Sequence, residues 1–332
     1  MKIHAFCIAK NEADILRETL ISALHWCDHI YVLDNGSDDG SWELVNDLAK
    51  QHSQIVPYKQ DNTPFTNGLR ADIFNEFRSN AAAGDWWCQL DADEIYIDDP
   101  SIFLSKIEDR YQTVWTASFN YFFTDEDAVL YRKDPAKYLE IPVQQRLRYY
   151  LNHHGELRFF RHNDDIVWAR TQHYGTVPEA LFYLASAYPV RIWLKHYQYR
   201  SPEQIERRLL TRRSAIEANL FQHETTGNWR AAVAHTRTAE YKGPMRYFNT
   251  SLYDPRPEFP GARWEERVVP AASLDYDAFD RRYIVNERLM PKFPLRRSAR
   301  SRLKAAVPAP IRAPVGRVLR QTLGVLGWLR PI

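Results

Sequence analysis

Over the first hundred positions, short apolar runs alternate with stretches whose apolar residues are spread at helical spacing. "IHAFCIA" (3–9) is a mostly apolar run of strand length, the pattern of a strand buried on both faces. In "KNEADILRETLISALHW", which follows, Ile15, Leu16, Leu20, Ala23 and Leu24 line one side of a helix. "IYVLD" (30–34) predicts a second strand, ending at the turn-forming cluster "NGSDDGS". "WELVNDLAKQH" predicts a helix with Ser41 placed to cap it. "QIVPY" (54–58) predicts an edge strand, because Pro57 cannot donate to a ladder. "ADIFNEFRSNAAA" reads as a helix and "DWWCQL" as a fourth strand. Strand–helix alternation with short turns predicts an α/β fold with a mostly parallel central sheet, in which ligands gather at the carboxyl ends of the strands. The polar clusters fall at those ends: Lys10 to Glu12, Asp34 to Asp39, and Asp91 to Glu94.

Beyond residue 100 the pattern loosens. "TVWTASFNYFF" (113–123) and "YPVRIWLKHYQY" (188–199) read as strands. "SPEQIERRLLTRRSAIEANLF" opens as a helix, with Ser201 to cap, Pro202 in the first turn and Gln204 to complete a capping box. Its stripe of Ile205, Leu209, Ile216 and Leu220 runs beside Arg207, Arg208, Arg212 and Arg213.

The 332 residues suffice for one large α/β domain or two smaller ones. No stretch of about 20 apolar residues predicts a membrane span, and "MKIHAFCIAKNEAD" lacks the apolar centre of a signal peptide. Cys7, Cys27 and Cys88 are scattered and read as reduced core residues of a cytoplasmic protein. Ten Trp and nineteen Tyr read two ways, as an aromatic-rich core or as flat faces for sugars and bases. The net charge of +2 conceals an asymmetry. Ten of the 44 Lys and Arg but none of the 42 acids lie from Leu289 onward, so residues 1–288 carry a net −8.

"DWWCQLDADEIY" (85–96) drives an apolar strand into Asp91, Asp93 and Glu94. Carboxylates so close repel, and a D-x-D at a strand end suits a divalent cation that also binds phosphate oxygens. An EF-hand is excluded by the missing loop glycine and later acids. Neither G-x-G-x-x-G nor G-x-x-x-x-G-K-[ST] occurs, so neither a dinucleotide fingerprint nor a P-loop is present. "YVLDNGSDDGS" is either a plain turn or a base- and ribose-binding edge.

"FCIAKNEADIL", "YVLDNGSDDGS", Arg70 and "GDWWCQLDADEIY" together resemble family 2 glycosyltransferases of the GT-A fold, in the family's order and spacing. "LRFFRHNDDIVW", "GTVPEAL" and "LKHYQYRSPEQIERR" are similar to segments of the branch that includes lipopolysaccharide-core and related bacterial sugar transferases. The resemblance covers about residues 1 to 215. A His-Glu pair stands in that branch where this chain has Pro178-Glu179.

The resemblance implies that Lys10, Asn11, Glu12, Asp34 and Asn35 hold the nucleotide of a UDP- or GDP-sugar, and that Arg70 approaches it. It implies that Asp93, with Asp91 directly or through water, holds Mn²⁺ or Mg²⁺ on the diphosphate. A late His is often a third ligand, which points to His196 or His173; a hydrogen-bonded core role is the other reading of His196. The implied reaction is inverting: an acceptor hydroxyl attacks the anomeric carbon while one carboxylate takes its proton. Glu179 is the leading candidate for that base, with Asp164, Asp165 and Glu94 as alternatives. Arg200, Arg207 and Arg208 read either as a diphosphate clamp or as a solvated basic face.

The predicted organisation is a GT-A domain over 1–221, a helical acceptor-side extension over 222–288 containing Trp229 and Trp264, and a basic, Pro-containing tail over 289–332. In the tail, "VGRVLRQTLGVLGWL" predicts a basic amphipathic helix, which either lies on an anionic membrane surface or packs back on the domain. Nucleic acid is disfavoured by the acidic remainder. The expected function is metal-dependent sugar transfer to a glycan or lipid-linked acceptor in surface polysaccharide or lipopolysaccharide synthesis, at the inner face of the cell membrane. The rivals are a nucleotidyltransferase acting on sugar phosphates and a non-catalytic nucleotide-sugar-binding module.

Overall fold

The computed structural model describes residues 1–121, 123–147, 150–152, 156–170, 177, 178, 180, 181, 185–188, 190–217, 262 and 263. The first hundred of them form the expected alternation: β1 (Ile3–Ala9), α1 (Ala13–Ala23), β2 (His29–Asp34), α2 (Ser41–Gln51), β3 (Ile55–Gln60), α3 (Gly68–Phe77) and β4 (Trp86–Asp91). β1 pairs parallel with both β2 and β4, and β2 pairs parallel with β3. β3 therefore lies at an edge, where its Pro57 is tolerated.

Period-two alternation divides the strands between two cores. Ile3, Ala5 and Cys7 of β1 join Ile30, Val32, Trp86, Cys88 and Leu90 beneath Ile15, Leu16 and Leu20 of α1 and Val45 and Leu48 of α2. Phe6, Tyr31, Leu33 and Trp87 face the other way, onto Leu69, Ile73 and Phe74 of α3 and onto Trp168. Trp26, Trp86, Trp87, Trp115, Trp168 and Trp193 are all buried, so the core takes much of the aromatic content. The three cysteines are free and buried, as expected.

The second half is mixed. β5 (Glu94–Tyr96), α4 (Pro100–Ser105) and β6 (Thr113–Tyr121) lead into three helices that periodicity did not reveal: α5 (Asp125–Lys133), α6 (Pro135–Glu140) and α7 (Val143–Arg146). These are announced by caps instead. Thr124 and Asp127 make a reciprocal capping box, and the Asp134 side chain caps α6. β7 (Tyr150–Asn152), β8 (Leu157–Arg161), β9 (Ile192–His196), α8 (Pro202–Glu217) and β10 (Ala262–Arg263) complete the described elements. The main path runs β10-β7-β6-β8-β4-β1-β2-β3. β8 is antiparallel to both β4 and β6, whereas β9 runs parallel to β6 and antiparallel to β5.

Two helix starts differ from expectation. α2 has Gly40 at its N-cap (φ 91°), and Ser41 instead turns its hydroxyl to Asp39 and accepts from the Glu12 amide. At α8, Ser201 accepts from the Gln204 amide, but Gln204 Oε1 accepts from Arg200 N, so the capping box is half made.

A stack of rings crosses β1, β2 and β4. His4 lies parallel to His29, with centroids 5.1 Å apart, and against Trp87 at 5.1 Å. Burial, reinforced by His29 and only partly opposed by Asp85, pulls the His4 pKa down to about 4. The unfolded chain binds this proton near pH 6.5 and the folded one near 4, so stability from His4 is complete above 6.5 and is lost as pH falls between those values. The shift corresponds to about 3 kcal/mol. Urea unfolding from pH 6.5 to 4 should show a shallower loss of stability in His4→Gln than in the parent chain; equal slopes would refute this account.

Candidate functional site

The parallel registers bring the strand ends together. Ala9 is level with Asp34, and Ile8 is level with Asp91, so β1 ends between two acids. The segments leaving β1 and β2 are then laced to each other. The amides of Asn11, Glu12 and Ala13 donate to the side chains of Ser37, Ser41 and Asp39, while Asn11 Oδ1 accepts from Asp38 N. Asn11 has φ 57°, a conformation asparagine tolerates better than most residues. Lys10 Nζ donates to the carbonyls of Asn35 and Gly36 at 2.7 and 3.3 Å.

Asp34 is 1% exposed and organises the turn. Its Oδ1 accepts from the amides of Gly36 and Ser37 and from Gln60 Nε2, whereas Oδ2 is buried with no hydrogen-bond partner. Gly36 is favoured here by its φ of 77°, a conformation that side-chain-bearing residues rarely adopt. Asn35 spends its amide on the carbonyls of Asp61 and Thr63, tying down the segment after β3. Of the expected nucleotide-binding set, Asp34 thus has an oxygen to spare, while Lys10, Asn11 and Asn35 hold the loops in place.

The turn from β4 to β5 is Ala92–Asp93. Thr19 of α1 donates to the Ala92 carbonyl at 2.8 Å, and Tyr197 N donates to the Asp93 carbonyl at 2.9 Å. β5 then aligns Glu94 with His196 of β9, and β9 aligns His196 with Asn120 of β6. Residues distant in sequence thereby meet around the acids.

The positive charge these acids meet within the chain is largely arginine. Asp91 Oδ1 receives Arg70 at 3.3 Å and Gln89 at 3.2 Å, and its Oδ2 receives Arg158 at 2.8 Å. Arg70 also faces the exposed Phe65 ring at 5.1 Å. Asp93 Oδ2 lies 3.5 Å from His196 Nε2 and 3.8 Å from both Arg200 and Arg208. Glu94 Oε1 accepts from Arg158 at 2.5 Å. Arg200 is fully buried, and it bonds Glu12 and both oxygens of Asp14. It is a buried counter-ion and no part of a solvated face, unlike the exposed Arg207, which reaches Asp38 at 3.4 Å.

Burial sorts the protonation states. It would raise the Asp93 pKa, but His196, Arg208 and Arg200 more than reverse this and hold the carboxyl well below its usual range. Burial prevails at Glu94, raised to about 8 despite Arg158, and at Glu12, raised to about 7 despite Arg200. Burial disfavours the His196 imidazolium, yet Asp93 turns the net shift upward.

Asp93 and His196 are suited to a divalent cation. His196 Nδ1 lies 3.2 Å from Asn120 Oδ1, which fixes the ring with Nε2 toward Asp93, the orienting contact that metal-binding imidazoles usually have. Among the described residues no group of three or more His, Cys, Asp or Glu is placed to hold an ion. Mg²⁺ is usually held by one or two carboxylates together with phosphate oxygens and water, and Asp93 is the carboxylate of this pair. Both oxygens of Asp91 are already engaged, by Arg70, Gln89 and Arg158.

The proposed bases divide. Asp164 and Asp165 are corrected by the topology: β8 is antiparallel to β4 with Arg161 level with Trp86. The loop after β8 therefore lies at the amino end of β4, about 16 Å along the strand from Asp91. There Arg78 holds the Asp164 carbonyl and His162 approaches its carboxylate at 3.4 Å. Glu179 and the alternative ligand His173 lie outside the described residues, as do the 289–332 tail and all of 222–288 except Ala262–Arg263. Arg158 and Asn120 were not foreseen. The one signal for Arg158 was a charged residue inside the apolar run "LRFF"; Asn120 carried none.

Residues 5–167 match the sequence model of the family described as Glycosyl transferase family 2. That span, just under half of the chain, is a Glycosyl transferase family 2 domain. The glycosyltransferase domain has the curled, mixed α/β sheet of the GT-A type, with the acids at the carboxyl edge of its parallel half. No curated protein matches the sequence. Among solved structures, one that is similar is the mannosyltransferase PcManGT from Pyrobaculum calidifontis, in complex with GDP-Man and Mn²⁺. It is 13% identical, with 65% of this chain and 64% of that one covered and a TM-score of 0.36. This chain thus spans less than two thirds of that protein. Another is S. aureus TarS 1–349, 12% identical, with 66% and 68% covered and a TM-score of 0.35.

Proposed function

We propose that this family 2 glycosyltransferase moves a sugar from a nucleoside-diphosphate sugar to a hydroxyl of a glycan or lipid-linked acceptor, with inversion and with a divalent cation. The observation that carries the reading is the meeting of Asp34, Asp91 and Asp93 with Arg70, Arg200 and Arg208 at one sheet edge. Guanidinium groups suit a diphosphate, and the spare oxygen of Asp34 suits a base or ribose donor group. Asp93 and His196 would hold Mn²⁺ or Mg²⁺, which when bound offsets charge on the departing diphosphate.

In the proposed reaction the acceptor oxygen bonds to the anomeric carbon as the bond from that carbon to the diphosphate breaks. The acceptor proton passes to a carboxylate on the opposite face. Glu179 is proposed as that base. The proposed setting is surface polysaccharide or lipopolysaccharide assembly at the inner face of a membrane, with the basic 289–332 segment as the contact. No helix among the described residues is long and apolar enough to cross a membrane.

Thermal unfolding with UDP, GDP and their sugars, with and without Mn²⁺, tests this reading. A Mn²⁺-dependent rise in Tm with UDP or GDP, absent in Asp93→Ala, is expected. Stabilisation by nucleoside triphosphates alone would replace it with nucleotidyl transfer.

A further inference from the structure

Arg158 is charged and almost wholly buried, with a side chain 3% exposed, yet it uses one nitrogen for all its partners. Its NH2 group contacts Asp91 Oδ2 at 2.8 Å, Glu94 Oε1 at 2.5 Å and Glu156 Oε2 at 3.1 Å. Its Nε and NH1 groups are buried without a hydrogen-bond partner. Two acceptors beside the same acid share this condition. Glu94 is 1% exposed, and its Oε2 has no partner; Gln89 is 1% exposed and donates to Asp91, leaving its Oε1 without one. Buried polar groups are nearly always satisfied, and those that are not call for an explanation.

The unmade bonds have a definite chemistry. Arg158 and Gln89 both donate to Asp91, Glu94 joins them through Arg158 NH2, and the donors and acceptors left over do not pair with each other. A phosphate oxygen only accepts, so it would serve Arg158 but face the bare oxygen of Gln89. A hydroxyl both donates and accepts, and neighbouring ring hydroxyls match a set of this mixed kind. Asp91 also separates the two functions: its other oxygen receives Arg70, on the side assigned above to the nucleotide.

We infer that Arg158, Glu94 and Gln89 form the subsite that reads the hydroxyls of the transferred sugar. Arg158 donates from Nε and NH1, Gln89 accepts through Oε1, and Glu94 bonds through Oε2. The inference rests on the nucleotide-sugar reading and adds which residues set donor choice.

Calorimetric titration of the full chain with Mn²⁺ tests it, using UDP and GDP against a panel of UDP- and GDP-hexoses that includes C2 and C4 epimers. Arg158→Lys keeps the charge but loses the fork, and Glu94→Gln keeps the shape but replaces the carboxyl with an amide. Each variant is expected to bind the bare diphosphate within about three-fold of the parent while losing about ten-fold or more for the preferred nucleotide sugar, since one hydrogen bond to a charged group is at stake. Discrimination between epimers should shrink in parallel. A Tm scan confirms that the proteins titrated are folded, and if Arg158→Lys does not fold, Glu94→Gln alone decides. Equal weakening for diphosphate and sugar, or no change for either, would overturn the subsite. Failure of the parent chain to bind any nucleotide sugar would overturn the donor reading and the subsite with it.

Discussion

Asp93→Asn is expected to lower the transfer rate by about three orders of magnitude while leaving a folded protein. The argument is electrostatic. Asp93 is a buried carboxylate kept ionised by His196, Arg208 and Arg200, and it is the acid proposed to anchor a cation on the diphosphate. Asparagine preserves the volume and one acceptor but deletes the charge. Removing a preorganised charge or donor aimed at a developing anion costs about 10²–10³ in kcat, and the loss of the cation's anchor adds to it. Arg200 retains Glu12 and Asp14 as partners in this variant, so the fold should survive. Steady-state release of nucleoside diphosphate measures the effect. A variant within ten-fold of the parent would show that the Asp93 charge has no part in transfer.

Arg200→Met should cost about 3–5 kcal/mol of stability, the range for removing one partner of a buried ion pair. Arg200 joins three parts of the chain: Glu12 after β1, Asp14 in α1 and Asp93 in the β4–β5 turn. Methionine fills much of the volume but leaves these carboxylates without their guanidinium. The double variant Arg200→Met with Glu12→Gln should recover part of the loss, because a neutral side chain then replaces the orphaned acid. Glu12 also sets the pH dependence. Its folded pKa of about 7 lies above the ordinary 4.5, so the folded state holds the proton longer, and stability declines as pH rises from 4.5 to 7. Arg200 pulls that pKa down, so without it the decline should continue above pH 7. Urea unfolding of the parent, the two single variants and the double variant from pH 4.5 to about 9 provides the measurement. A single variant as stable as the parent, or a double variant additive with the two singles, would contradict the network.

Much of the site was legible because it is made of strand ends. Asp34, Asp91 and Asp93 each follow a compact apolar run, and a parallel arrangement brings such ends together without further information. The helices α5 to α7 were not legible, because they are short and held by caps and by packing more than by an apolar stripe. Arg146 shows this: buried and 5% exposed, it is bound to the carbonyls of Leu139 and Ile141 and lies 3.7 Å from Asp14. The partners of the acids were harder still. Arg158 is 67 positions from Asp91, and Arg200 is 186 from Asp14, so nothing local announces either pair. Asp164 and Asp165 illustrate the reverse error. They looked like bases because they are acidic and follow a motif, and an antiparallel strand carries them to the wrong end of the sheet.

From residue order alone came the alternation of elements, the buried pattern of β1, and the placing of acids at the carboxyl ends of the strands. These follow from periodicity and turn chemistry, which act over a few residues. The pairing of each carboxylate with a guanidinium, the orientation of His196 by Asn120, and the groups left unbonded around Arg158 came only with the tertiary structure. Charge compensation in a low-dielectric interior depends on distance in space, and strand direction and register set that distance for residues far apart along the chain.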